Sequence, residues 1–400
     1  MIRPEETQRH TAQHANAAGL AALRTGDAAG AIAAFDQATA ADPLAGPLWR
    51  NLAHAHRLAD DTPGERAALE RALALDQTDL AAQLRMAQLH QRSGDETRAL
   101  LAWSGVEQLA AQAELLAPGI AEELAAGSAY CAGLRAKLYA ATEEITAAGN
   151  GYNPTEARRI AAFVDAAQGR RQIYHNHCAG TLYPFLPADE FFDREHFGWL
   201  AELEAETPAI QRELAALLAD PGAALRPYVR LDPGTPANPW SALDGSLDWA
   251  ACFLWEYGRP NAPVIARCPQ TAALLERLPL ARIPGRAPNA FFSMLRPRSH
   301  IPPHTGVTNT RAIIHLGLDI PPRCSFRVGG ERREWAEGAA FAFDDTIEHE
   351  AWNDSDARRA VLIVDAWNPH LSAREQAAIA AYFAAADTAL SGTAFDAPAA

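Results

Sequence analysis

The chain has 400 residues, 48% of them hydrophobic, which is enough apolar material for two or three packed cores. Its formal net charge of −14 argues against a nucleic-acid partner, because phosphate contacts need clustered Lys and Arg. Five scattered cysteines (Cys131, Cys178, Cys252, Cys268, Cys324) without a CxxC pair disfavour a disulfide scaffold or structural zinc, and no apolar run is long enough for a membrane helix. The N-terminus has no apolar signal-like stretch, so the expectation is a soluble protein of a reducing compartment, the cytoplasm.

The N-terminal third repeats with a period of 34 residues. Gly26, Asp60 and Gly94 fall in register, as do Phe35, Leu69 and Trp103, with Ala38 and Ala72, then Asp42 and Asp76, as further matches. Each unit reads as helix, short turn (Thr25-Gly26-Asp27, Ser93-Gly94-Asp95) and helix. Small residues let the helices approach, and the large apolar ones fill the gaps between them. The pattern resembles the tetratricopeptide repeat and covers residues 1–115. Such arrays stack into a concave surface that holds peptides or proteins, and they carry no chemistry of their own.

Residues 116–179 read as a helical connector, broken at Gly149-Asn150-Gly151. Tyr174-His175-Asn176-His177-Cys178 contains an HxH spacing, but with no further ligand nearby it reads as loop histidines. A helix is expected from Arg194 to Leu218, where Leu200, Leu203, Ile210, Leu214 and Leu217 keep helical spacing. A long Pro-, Gly- and Asp-rich loop follows between Pro227 and Trp249, of the kind that contacts substrates. Trp249 to Trp255 reads as a buried strand, and Cys268-Pro269-Gln270-Thr271 starts a helix over Ala272 to Leu278.

After Pro288 the period changes to two. Strands are expected at 290–295, 311–320, 325–328, 332–335, 339–343, 349–353 and 360–367, with Gly329-Gly330 and Glu337-Gly338 as turns. Short strands in this number predict a double-stranded β-helix, a jelly-roll of the cupin kind, in a domain spanning 180–390. The expected fold class is therefore α+β: helical repeats, then a jelly-roll with flanking helices. Ser372-Ala373-Arg374-Glu375 is a capping box for a last helix, and residues 391–400 read as a disordered tail.

Within the strand-rich part, His304 follows the rigid Pro302-Pro303 and His349 opens a later strand. Non-haem iron is commonly held by HxD/E plus a distal His, and here Gly306 stands where the carboxylate would be. Arg311, Ile313, His315 and Gly317 share one strand face, and Arg359, Val361, Ile363 and Asp365 share another. An inward Arg at the closed end of a barrel is costly unless it meets an anion, and a dicarboxylate co-substrate supplies one. The same residues also read as a core histidine (His315), a surface Arg beside Arg358 and two unrelated loop histidines. Spacing alone leaves both readings open.

Larger motifs surround these residues: His304-Thr305-Gly306-Val307-Thr308-Asn309, His315-Leu316-Gly317-Leu318, Phe343-Asp344-Asp345-Thr346, His349-Glu350-Ala351-Trp352-Asn353 and Val364-Asp365-Ala366-Trp367-Asn368-Pro369. Together they resemble the aspartyl/asparaginyl β-hydroxylase family, with looser similarity at Ser293 and Trp255-Glu256-Tyr257-Gly258, over residues 180–372. The resemblance implies Fe(II) held by His304 and His349, with the absent carboxylate at Gly306 a family trait. It implies 2-oxoglutarate as co-substrate, its distal carboxylate on Ser293 and Arg359 and its other carboxylate near His315. Animal members have a second Arg two residues before that histidine; this chain has Ile313 there, and Arg311 is the cation that could compensate. The catalytic set is then His304, His349 and Arg359. The implied reaction is hydroxylation of the β-carbon of Asp or Asn in a peptide or protein, presented by the helical repeats. Alternatives are the same chemistry on a free amino acid, a small peptide natural product or a lipid-linked acid, and an inactive repeat scaffold for protein binding.

Overall fold

Six helices alternate along the N-terminal part of the computed structural model, which describes residues 4–113, 116, 119–147 and 151–389. They are α1 (Pro4–Arg24), α2 (Ala28–Ala41), α3 (Gly46–Leu58), α4 (Thr62–Leu75), α5 (Leu80–Arg92) and α6 (Glu96–Gln112). Each pair turns through one left-handed residue, Gly26 (φ 78°), Asp60 (φ 55°) or Gly94 (φ 71°). Glycine takes that conformation without strain, and Asp is among the few side chains that tolerate it. The next residue, Asp27, Asp61 or Asp95, caps the following helix by accepting the N–H of Gly30, Gly64 or Arg98 at 2.8, 3.0 and 3.0 Å. Phe35, Leu69 and Trp103 are buried at the same place in successive units. The unit is tetratricopeptide-like in length, order and packing.

A further helix, α7 (Ile120–Thr146), supplies Cys131, Ile120 and Leu124 to the cluster around Trp103 and Val106. Gly127 makes this possible, because a side chain there would meet the Trp103 ring. The chain divides into two compact units, Met1–Tyr152 and Asn153–Ala400. The expected connector is thus shared: α7 lies with the repeats, and α8 (Pro154–Ala167) lies in the second unit. The expected tail at 391–400 falls outside the described residues, as do Gly149 and Asn150.

The second unit holds β1 (Phe191–Phe192), β2 (Arg226–Pro227), β3 (Trp249–Glu256), β4 (Arg259–Pro260), β5 (Ala290–Leu295) and β6 (Ser299–His304). It continues with β7 (Arg311–Asp319), β8 (Cys324–Val328), β9 (Glu331–Glu334), β10 (Ala340–Phe343), β11 (His349–Asn353) and β12 (Arg359–Trp367). One sheet has the order β1-β10-β7-β12-β5-β3-β2, with β4 on β3; the other has the order β6-β11-β8-β9. Among the described residues no strand pairing joins the two sheets, so the strands form two open sheets and not a hydrogen-bonded closed barrel. Helical repeats and a separate β-sheet unit give an α+β chain.

Alternation along the strands sorts the two faces of the larger sheet. Ala312, Ile314, Leu316 and Leu318 join Ala360, Leu362 and Val364 under the helices Leu200–Ala205, Thr207–Ala219 and Pro269–Arg277. Ile313, Val361, Ile363 and Phe291 point the other way and share a cluster with Ile301, Phe326, Val328 and Ala351 of the smaller sheet. Polar side chains placed on this second face are therefore shut between two apolar layers. The helix expected from Arg194 to Leu218 is interrupted near Thr207-Pro208, because proline lacks the N–H a continuing helix needs and suits a first turn instead. The strand β6 was not expected, since it contains Pro302 and Pro303. It is tolerated because β6 is the edge of its sheet, where a missing N–H breaks no ladder.

Candidate active site

That edge strand carries His304, and β11 pairs with it so that His349 stands directly opposite. The ring centroids are 4.0 Å apart. Each ring is held by the same local device: Nδ1 of His304 lies 2.8 Å from the Pro302 carbonyl oxygen, and Nδ1 of His349 lies 3.0 Å from that of Ile347. A carbonyl only accepts, so Nδ1 carries the proton in both rings and Nε2 keeps a free lone pair. Burial pushes His304 down to about 4; burial, with His304 beside it, holds His349 well below its ordinary value. Two neutral imidazoles with lone pairs available are the donor set a divalent iron takes. Among the described residues no group of three His, Cys, Asp or Glu could hold a metal, so any ion here has these two protein ligands.

His315, on β7, has the opposite tautomer. The Trp335 indole N–H donates to its Nδ1 at 3.3 Å, which leaves Nε2 as a donor suited to an anion. Burial, then Arg359, keep this ring neutral, well below the usual histidine range. Arg359, on β12, is 1% exposed, and its guanidinium stacks 4.6 Å over the Trp335 ring. Its remaining contacts are long: NH1 reaches the Ser293 carbonyl and Oγ at 3.4 Å each, and Nε has no partner. Burial lowers it to about 10, so it stays cationic at neutral pH. Ser293 Oγ also accepts the Trp249 indole N–H at 3.1 Å. A buried cation with an unused donor, beside a serine and a donor imidazole, is an anion seat without its anion.

Arg311 is placed differently. Its guanidinium pairs with Asp365 at 2.5 Å, both side chains nearly buried, and Asp365 also accepts the N–H and side-chain amide of Asn289. The cation is thus already neutralised within the fold, while Ile313 contributes an apolar side chain to the interior. The HxH loop forms no metal group. Asn176 donates to Asp344 and Thr346, and His177 N–H donates to the Thr346 carbonyl at 2.7 Å, which pins this segment beside 344–346.

Three residues of the site were not singled out from the sequence. Trp335 orients both His315 and Arg359. Trp240, from the long loop after β2, packs edge-on against His304 with centroids 5.0 Å apart. Asp345 fills the room that a side chain on Gly306 would need, and its backbone oxygen accepts the Gly306 N–H at 2.6 Å. Desolvation pushes the Asp345 carboxyl up to about 7, against the pull of Arg311, and its Oδ1 is buried without a partner. The acidic Asp344-Asp345 pair was visible in the sequence, but nothing local linked it to Gly306.

Residues 204–369 match the family model described as Aspartyl/Asparaginyl beta-hydroxylase. The Aspartyl/asparaginyl beta-hydroxylase of Mus musculus is 40% identical over 136 residues, which are 34% of this chain and 18% of that protein. The Ornithine lipid ester-linked acyl 2-hydroxylase of Rhizobium tropici is 34% identical over 190 residues, 47% of this chain and 63% of that protein. The human Aspartate beta-hydroxylase domain-containing protein 1 is 34% identical over 210 residues, 51% of each chain. The chain therefore spans between under a fifth and under two thirds of the length of these relatives.

Proposed function

We propose, for a chain that belongs to the aspartyl/asparaginyl β-hydroxylase family through residues 204–369, that it is an Fe(II)- and 2-oxoglutarate-dependent dioxygenase hydroxylating the β-carbon of Asp or Asn in a peptide or protein. The single observation that carries this reading is Arg359, fully buried with an unpartnered Nε and no carboxylate bound to it, on the same enclosed face as two neutral, lone-pair-bearing histidines. In this reading the two facing sheets are the halves of a double-stranded β-helix, and the helical repeats hold the polypeptide substrate. The five free cysteines fit a reducing, cytoplasmic setting; no described helix is long and apolar enough to cross a membrane.

His304 and His349 would hold Fe(II) through Nε2. When bound, the ion supplies O2 activation for C–H hydroxylation, coupled to conversion of 2-oxoglutarate to succinate and CO2. The chain's own residues do the rest. Arg359 and Ser293 seat the distal carboxylate of the co-substrate, and Trp335 keeps the guanidinium flat beneath it. His315 offers its Nε2–H to the carboxylate nearer the histidines. Apolar side chains from both sheets exclude water, which strengthens these charge-assisted contacts. Arg311, engaged by Asp365, supports the seat from the next position along β7.

The test is 2-oxoglutarate-dependent succinate formation with Asp- and Asn-containing peptides, together with the Fe(II)–2-oxoglutarate absorption band under anaerobic conditions. Both are expected in the wild type and expected to be lost in His349→Ala; unchanged turnover in that variant sinks the proposal. The similarity to the Rhizobium acyl 2-hydroxylase, over more of its length than the mouse protein, favours one second reading: the same chemistry on a lipid-linked acid. Mass spectrometry of the hydroxylated product separates the two.

A further inference from the structure

One face of the repeat unit collects cations in a chain whose net charge is −14. On α3, Arg50, His54 and Arg57 lie at helical spacing along one side; on α5, Arg85, Gln88 and Arg92 do the same. Hydrogen bonds across the helices show that these sides face one surface. Asn51 donates to Asn16 of α1 at 2.9 Å, Arg85 to the Arg50 carbonyl at 2.9 Å, Arg57 to Gln88 at 3.0 Å, and Gln88 to Glu123 of α7 at 3.0 Å. Between α3, α5, α6 and α7 lies a cleft of about 240 Å³, lined in part by Arg57, Gln88, Arg92 and Trp103.

The charges on this face do not balance. Arg50 pairs with Asp79 at 3.0 Å and Arg92 with Glu65 at 2.6 Å. Among the described residues, Arg57 and Arg85 make no ion pair; their printed contacts are a neutral amide and a backbone carbonyl. Arg85 is held below its ordinary value by burial and then by Arg50 and Arg57, with only the more distant Glu123 and Glu65 opposing. His54 is lowered in the same way, by burial, Arg85 and Arg57. Mutual repulsion of this kind is tolerated where a ligand's negative charge relieves it.

We propose that this face is a docking groove for an acidic, extended polypeptide segment, whose carboxylates pair with Arg57 and Arg85. A polypeptide fits better than a nucleic acid for two reasons. The same surface carries Glu65 and Glu123, which a continuous phosphate backbone would meet with repulsion. It also carries the amides Asn16, Asn51, Gln88 and Gln91, which are matched to peptide N–H and C=O groups. Binding here needs neither metal nor turnover, so its failure and the failure of the oxygenase reading are distinguishable.

The experiment is fluorescence anisotropy of the full-length protein with four labelled probes: a Glu/Asp-rich peptide, its Gln/Asn counterpart, a Lys-rich peptide and a single-stranded oligonucleotide. The acidic peptide is expected to bind, to weaken as salt rises, and to exceed the Gln/Asn version by about tenfold or more. Arg57→Gln is expected to cost about tenfold in affinity, while Arg24→Gln, at the exposed end of α1, changes nothing. Arg85→Gln, more buried, is a second variant whose thermal melt is recorded first; if it does not fold, Arg57→Gln decides. Absence of acidic-peptide binding, equal binding of the amide version, tighter binding of the oligonucleotide, or full affinity in Arg57→Gln each overturns the proposal.

Discussion

Arg359 is where stability and function pull against each other. A guanidinium 1% exposed, with long contacts and an unpartnered Nε, costs the ligand-free fold several kcal/mol that an apolar side chain would not. Arg359→Met should therefore raise the urea midpoint of the ligand-free protein, by about 2 kcal/mol in stability. The same variant should weaken 2-oxoglutarate binding, read by calorimetry, by about tenfold or more. A variant that is less stable and still binds would place the carboxylate seat elsewhere. His304, His349, Ser293, His315 and Arg359 could all be named from the sequence through a family resemblance. Trp335 and Asp345 could not, because their roles consist of contacts with residues 24 and 39 positions distant (Arg359 and Gly306) that no local pattern records.

At the scale of elements, the repeat helices were legible because their signals are local. A left-handed residue, an Asp cap and a large apolar anchor recur every 34 residues, and each acts on its own turn. Gly94→Ala forces a Cβ into the left-handed region and should destabilise the repeat unit by about 1 kcal/mol, seen as a lower thermal midpoint of the helical circular dichroism signal. If the midpoint does not move, the turn is not under the constraint described. The strand β6 shows the opposite case. Two prolines argue against a strand, and only its place at the edge of the smaller sheet makes one possible. Since that edge carries His304, the residue could be identified before the element that holds it.

For the molecule as a whole, each unit has its own hydrophobic clusters, Phe35, Leu69 and their neighbours in the first, the two faces of the larger sheet in the second. Ligands of the second unit should therefore raise its unfolding transition. At about a hundred times Kd, Mn(II) with 2-oxoglutarate should add about 2.7 kcal/mol, measured as a rise in the tryptophan-fluorescence midpoint while the transition dominated by repeat-unit helices stays in place. A shift of both transitions, or of neither, would contradict this assignment of the site. Composition and period by themselves determined that there are helical repeats followed by a strand-rich unit, and which histidines and arginines were worth watching, because amphipathic spacing and turn chemistry act over a few residues. Which strands pair, that the sheets remain open to each other, that His304 faces His349, that Arg311 is already taken by Asp365 while Arg359 is not, and that Asp345 occupies the space beside Gly306 were decided only by the tertiary structure. Burial and counter-ions belong to the folded neighbourhood of a residue and are absent from its sequence neighbours.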